Sequence, residues 1–359
     1  MKSTLLHFCK AIPAVSAAAC LCFCMLSCSF LGGHEDDYTP GIVFEQLWNN
    51  YNKTYALFEE KQVDWDAVHA KYAPMISSGM SSQELFDVCE DMLCELQDSH
   101  VYLQAPFDFC NAGGRYTSAD PFSLSLIESR YLQNVHTAGN GMFTYGLLRT
   151  DASTGYLYIA GFSYGKTTLE QQQDWAADID TVVSALSGTS RLIIDIRGNR
   201  GGLEGNVSYI AGRFTGNETV YAVTRTKNGP SPHDFSGPVA LTILPQGPLQ
   251  YCKPAALITN KQTISGGEYF ALALRSQPNV IHTGSGTAGA FSLSLERVLP
   301  NGWRYAVSVQ YVTDAAGTCF EGTGIVPVDS RICENTSDGI AAGTDAQLEK
   351  AVSLLDQAE

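Results

Sequence analysis

Two periods of apolar residues divide the chain. Between residues 41 and 97 they recur at helical spacing, first as Phe44, Leu47, Trp48, Tyr51 and Tyr55, then over Ser81–Gln97. The second run opens with serines followed by acidic and amide residues, the start of a capping box. This predicts a small N-terminal helical domain over 41–104, which ends in the polar turn of "DSH" before alternating apolar residues. Residues 105–152, rich in Gly, Ser, Asp and Tyr, give weak strand signals and are expected to be a linker or small β region.

From 153 to 359 a third region reads as a core in which strands and helices alternate. The strand Gly155–Phe162 precedes the helical "TLEQQQDWAADIDTVVSALSG". The buried run "RLIIDIRG" precedes "LEGNVSYIAGRF", and "AALIT" precedes a helix opening after Ser265. Continuous apolar strands separated by helices predict a sheet covered on both faces. The stretch "LERVLPNGWRYAVSVQYVTD" alternates as antiparallel hairpins do, and "DAQLEKAVSLLDQ" closes the chain as a helix. The expected fold is α/β, a mixed sheet flanked by helices beside a small helical N-terminal domain.

Composition narrows the partners. A net charge of −15 leaves no basic stripe to neutralise phosphates, which argues against nucleic acid. No His/Cys cluster has metal-ligand spacing, and nothing points to a cofactor. At the N-terminus, Lys2 and Lys10 form a short basic stretch before an apolar run from Ala11 to Leu26 that suits an export signal better than a spanning helix. "MLSC" before a polar stretch resembles a bacterial lipobox. The resemblance implies a signal peptide over 1–27, lipidation at Cys28, a tether over 28–40, and attachment to the cell envelope through the lipid. In such a compartment the six later cysteines are compatible with disulfides or with buried thiols.

Three places carry candidate chemistry. Ser265 opens a helix in Ser265-Gly-Gly-Glu268, which reads as a capping box; the same position suits a nucleophile, because free amides and the positive helix end stabilise an oxyanion. In "IIDIRGNRGG" a buried strand ends in Asp195 and Arg197, either an ion pair or part of a site, before a glycine turn whose amides could complete an oxyanion hole. A serine nucleophile needs a base. His69, His136 and His233 lie in polar surroundings, whereas His100 and His282 compete on equal terms.

Taken together, "LQDSHVYL", "DIRGNRGG", "ITNKQTISGGEYFALAL" and "FEGTGIVPVD" resemble, in order, the motifs of the S41 peptidases, the C-terminal processing or tail-specific proteases and their tricorn-like branch. The resemblance implies a ClpP/crotonase-like core and a peptide or protein substrate. Where one branch carries a catalytic lysine, this chain has Ala290 in "GTAGAFS"; the other branch uses a Ser-His-Ser-Glu tetrad. Its positions fall on Ser265 as nucleophile, His100 as base, and Ser99 with Glu321 as orienters. The oxyanion hole would be Gly266 with Gly201 or Gly202. About 50 residues separate "DSHVYL" from "GYLYIAGF", too few for the PDZ domain common in the family. Binding relatives of this fold supply the alternative, a non-catalytic peptide- or ligand-binding lipoprotein. Acyl-CoA chemistry on a crotonase-like fold is a third reading that uses neither Ser265 nor His100.

Overall fold

Helix α1 (Pro40–Thr54) starts where the Thr39 hydroxyl accepts the Ile42 amide and proline takes the first helical position. Asp64 caps α2 (Trp65–Tyr72), and the Ser81/Glu84 capping box opens α3 (Ser82–Cys94). These helices do not form a core by themselves. They share one with an antiparallel sheet of β1 (Tyr102–Gln104), β2 (Phe109–Asn111), β11 (Ser294–Val298) and β12 (Arg304–Ser308), in the order β11-β12-β1-β2. The Tyr51 hydroxyl donates to the Ala306 carbonyl at 2.6 Å, and the Asn50 amide donates to the Tyr305 hydroxyl at 2.7 Å. The N-terminal helices are thereby tied to the hairpin that brings in the far end of the chain.

The computed structural model describes residues 38–113, 120–164 and 174–357. Cys28, the expected signal and most of the expected tether lie outside these residues, as does the first part of the helix expected after residue 162.

The central sheet has the order β10-β9-β6-β5-β4-β3. Strands β5 (Thr154–Ile159), β6 (Arg191–Asp195), β9 (Ala255–Thr259) and β10 (Val280–Gly284) run parallel. The antiparallel strands β4 (Phe143–Leu148) and β3 (Leu132–Ala138) extend it, so the weakly patterned region supplies two strands of the main sheet. Neighbouring residues of a strand face opposite sides. Accordingly Leu157, Ile194 and Leu257 pack with α4 (Ile179–Leu186), α5 (Glu204–Ala211) and α6 (Gly266–Arg275). Their neighbours Tyr156, Ile193, Ala256 and Ile258 pack with α7 (Ala346–Asp356) on the other face. A third sheet, β13-β7-β8, comprises β13 (Gln310–Asp314), β7 (Thr219–Thr226) and β8 (Val239–Ile243). The order of elements places the turns after β6 and β9 side by side at the carboxyl ends of the parallel strands, where open α/β sheets bind ligands.

Candidate active site

Ser265 occupies the turn between β9 and α6 with φ 58° and ψ −122°, a left-handed conformation that costs a non-glycine residue on the order of 1–3 kcal/mol. Three contacts hold it there. The Ile264 amide donates to the Asn199 carbonyl at 3.0 Å, the Glu268 amide to the Ser265 carbonyl at 2.8 Å, and the Ser265 amide to the Glu268 carboxylate at 3.1 Å. The carboxylate half of the expected capping box is present, and the turn is held through backbone groups rather than the hydroxyl.

Glu268 does more than cap. It is fully buried, and it also accepts the Thr287 hydroxyl at 2.6 Å and the amides of Gly289 at 2.6 Å and Ala290 at 2.8 Å. Burial pushes its carboxyl up to about 7, while these donors favour the charged form. It joins the serine turn to the loop through Ala290. The only sequence sign of this role was the capping pattern, which accounts for one of its partners.

Asn199 binds the glycine loop to the same turn. Its carbonyl receives Ile264, its side-chain oxygen takes the Gly201 amide at 2.8 Å, and its amide reaches the Ile159 carbonyl at 3.0 Å. The two oxyanion candidates after β6 therefore differ. The Gly201 amide is occupied, whereas neither Gly202 N–H nor Gly266 N–H has a protein acceptor among the described residues. Their backbones touch: a Cβ added to Gly266 would lie 2.9 Å from the Gly202 nitrogen.

His100 arrives from the other sheet. The Val101 amide closes a turn onto the Asp98 carbonyl at 3.1 Å, and the Asp98 side chain accepts the His100 amide at 2.8 Å. This Asx-type turn is the bend that "DSH" requires. Asp98 is 1% exposed, and its second oxygen accepts the Tyr55 hydroxyl at 3.0 Å. Burial holds the His100 imidazole below its ordinary value of 6.5, with Asp98 pulling the other way. The sequence marked Asp98 only as a turn residue.

Ser265, His100, Gly202 and Gly266 line one cleft of about 350 Å³, with Leu203, Val207 and Phe291 among its apolar walls. Glu321 stands behind it, one oxygen receiving the amides of Phe291 at 2.8 Å and Ser292 at 3.2 Å. Burial, reinforced by Asp98, pushes its carboxyl up to about 8. Its other oxygen and the His100 Nδ1 are both buried without a hydrogen-bond partner. Ser99 is placed by the Asn111 amide on its carbonyl at 2.9 Å, and its hydroxyl packs against Gly113. Among the described residues no hydrogen bond joins Ser99 to Glu321 or to the imidazole.

The competing residues lie elsewhere. His282, on β10, bonds the Thr259 hydroxyl at 2.8 Å, and burial lowers its imidazole to about 3. It does not line the cleft. Asp195 and Arg197 form a fully buried ion pair, and Arg197 also reaches Asp345 at 2.8 Å and Gln347 at 3.0 Å, linking the sheet to α7. Theirs is a packing role. All six cysteines among the described residues are free, and none of the described residues forms a group that could hold a metal ion.

A mixed sheet thus carries a strained serine at a strand-to-helix turn, and the turn before β1 brings a histidine into the same cleft. Residues 153–329 match the sequence model of Peptidase family S41, and residues 42–94 match that of the Tricorn protease C1 domain. The chain belongs to peptidase family S41. Among solved structures it resembles a protein from Parabacteroides merdae described as a candidate peptidase, at 29% identity and TM-score 0.78, covering 89% of this chain and 97% of that one. It shares its fold with mature CPAF in complex with lactacystin (13%, TM-score 0.64, 89% and 97% covered) and with the photosystem II D1 C-terminal processing protease (14%, 0.52, 86% and 99%). No curated protein matches by sequence.

Proposed function

We propose that the chain is a serine endopeptidase in which Ser265 attacks the scissile carbonyl and His100 takes its proton, later returning it to the leaving amine. The amides of Gly266 and Gly202 receive the oxyanion, since the Gly201 amide is already engaged. Ser99 links Glu321 to the imidazole once its hydroxyl turns from Gly113 toward the two unpartnered atoms, His100 Nδ1 and Glu321 Oε1. The observation that carries this reading is the meeting of Ser265, His100, Gly202 and Gly266 in one cleft, from segments as far apart as residues 100 and 265.

We further propose that the protein is exported and anchored by a lipid on Cys28, on the strength of "MLSC" and the apolar run before it. Radiolabelled fatty acid entering the native chain but not Cys28→Ala is the expected result, and equal labelling of both would remove the anchor.

The test of function uses a form beginning at His34, which keeps every described residue. It should cleave a mixed peptide library and react with a serine-directed phosphonate, while Ser265→Ala and His100→Ala fall to background with unchanged far-UV circular dichroism. A folded parent that neither cleaves nor takes up the phosphonate would hand the fold to the binding-protein reading. Activity that survives His100→Ala but not His282→Ala would move the base to His282.

A further inference from the structure

A second cavity, of about 720 Å³, lies behind the cleft and is used by nothing described so far. One wall is the segment from Tyr55 to Asp66, and the other is the β7–β8 connection around Phe235 with Tyr311 of β13. The three-stranded sheet separates the two spaces. On β7, Thr224 faces the cleft and Arg225 the second cavity; on β13, Gln310 faces the cleft and Tyr311 the cavity. Thr224 is paired with Val312 and Arg225 with Tyr311, so adjacent rows of one sheet serve opposite sides.

The walls differ in chemistry. Phe58, Phe235 and Tyr311 present half-buried rings, and Phe58 packs on Tyr55 and Trp65 at centroid distances of 4.7 and 5.3 Å. Around them stand the exposed carboxylates of Glu59, Glu60, Asp64 and Asp66, none in an ion pair among the described residues. The cations opposite are already engaged. Arg225 and Lys227 lie 4.9 and 5.1 Å from the Phe235 ring centre, and the Lys227 ammonium donates to the Ser231 carbonyl. What the cavity offers is an aromatic floor under an acidic rim, within the size range of ligand sites.

We infer that this cavity is a second peptide-binding site, taking an extended segment in which an aromatic or large aliphatic side chain sits beside basic residues. The apolar side chain fills the space between Phe58 and the Phe235–Tyr311 pair, and its basic neighbours meet the carboxylates of the rim. Its occupant lies one wall from the base of the cleft, because Tyr55 lines the cavity and holds Asp98, which holds the His100 amide.

The experiment is calorimetric titration of the full chain carrying Ser265→Ala, so that no cleavage occurs and the result does not depend on the peptidase reading. The probes are acetyl-Gly-Lys-Phe-Lys-Gly-amide and its counterpart with glutamate in place of both lysines. Saturable binding of the lysine probe is expected, at least tenfold tighter than that of the glutamate probe. It should weaken at least tenfold in Glu59→Lys/Asp66→Lys, two exposed positions whose exchange leaves the core intact, and in Phe235→Ala. No saturable binding, equal affinity for the two probes, or affinity unchanged in both variants would each overturn the assignment, the last by placing the peptide in the cleft.

Discussion

The Glu268 carboxylate, fully buried one turn into its helix, accepts the backbone amide of Ser265 at 3.1 Å and thereby helps hold the serine in its left-handed conformation. The same group receives Thr287, Gly289 and Ala290. Removing it leaves buried donors without acceptors, at about 1–3 kcal/mol each. Glu268→Ala is therefore expected to lose at least about 3 kcal/mol in urea unfolding, and to lose activity as Ser265 relaxes. Glu268→Gln is not conservative, because its NH₂ must face donors in either orientation; a stability within 1 kcal/mol of the parent would sink this account.

Stability should also fall as pH rises through neutrality. Glu268 and Glu321 have folded-state values of about 7 and about 8, above the ordinary glutamate value of about 4.3. The folded chain thus holds more protons than the unfolded chain between those limits, and that contribution is lost as pH rises through the folded values. His100 and His282 act in the opposite sense, but below 6.5: both are depressed, so their contribution is present above 6.5 and is lost as pH falls, toward about 3 for His282. The window from 6.5 to 8 isolates the carboxyls. Melting temperature should decline there in the parent and decline less in Glu321→Gln; equal slopes would show that Glu321 ionises normally.

Gly266→Ala addresses the oxyanion site with little disturbance elsewhere. An alanine suits the first turn of a helix, yet its Cβ would lie 2.9 Å from the Gly202 nitrogen and 3.1 Å from the Gly202 oxygen. The two amides must then spread. On the peptidase reading kcat/KM should fall about 10²–10³-fold, and the melting temperature should fall as well, because the Gly202 backbone has to give way. Full activity in the variant would mean that the oxyanion is held elsewhere.

Local pattern made much of this legible. The run "AALIT" before Ser265, the hairpin of β11 and β12, and the closing helix follow from alternation and capping that need no distant partner. What escaped depends on contacts far along the chain. Strands β7 and β8 went unassigned, and β7 is completed by β13 from Gln310 onward. The three N-terminal helices were legible from their own pattern, but not that Tyr51 and Asn50 find their partners at Ala306 and Tyr305. In the site, Ser265, His100, Glu321 and the glycines were singled out by motif. Asn199 and Asp98 were not, and Glu268 was marked only as a cap, because an acceptor's partners are fixed only by the folded loops around it.

Asp98 separates a structural from an electrostatic role. Facing it are Tyr51 of α1, Tyr55 just past the end of that helix, Glu321 and His100, with Lys61 acting on the last two. Its negative charge favours the imidazolium of His100 and disfavours ionisation of Glu321. Asp98→Asn keeps an acceptor for the His100 amide but removes the charge, so the His100 value, already below 6.5, should drop further. The acidic limb of kcat/KM for peptide cleavage should move to lower pH. Tyr55→Phe deletes the 3.0 Å hydrogen bond without changing charge and should lower the melting temperature while leaving the limb in place. If both variants move the limb alike, Asp98 acts only by shaping the turn. If Asp98→Asn moves it upward, the titrating base is not His100.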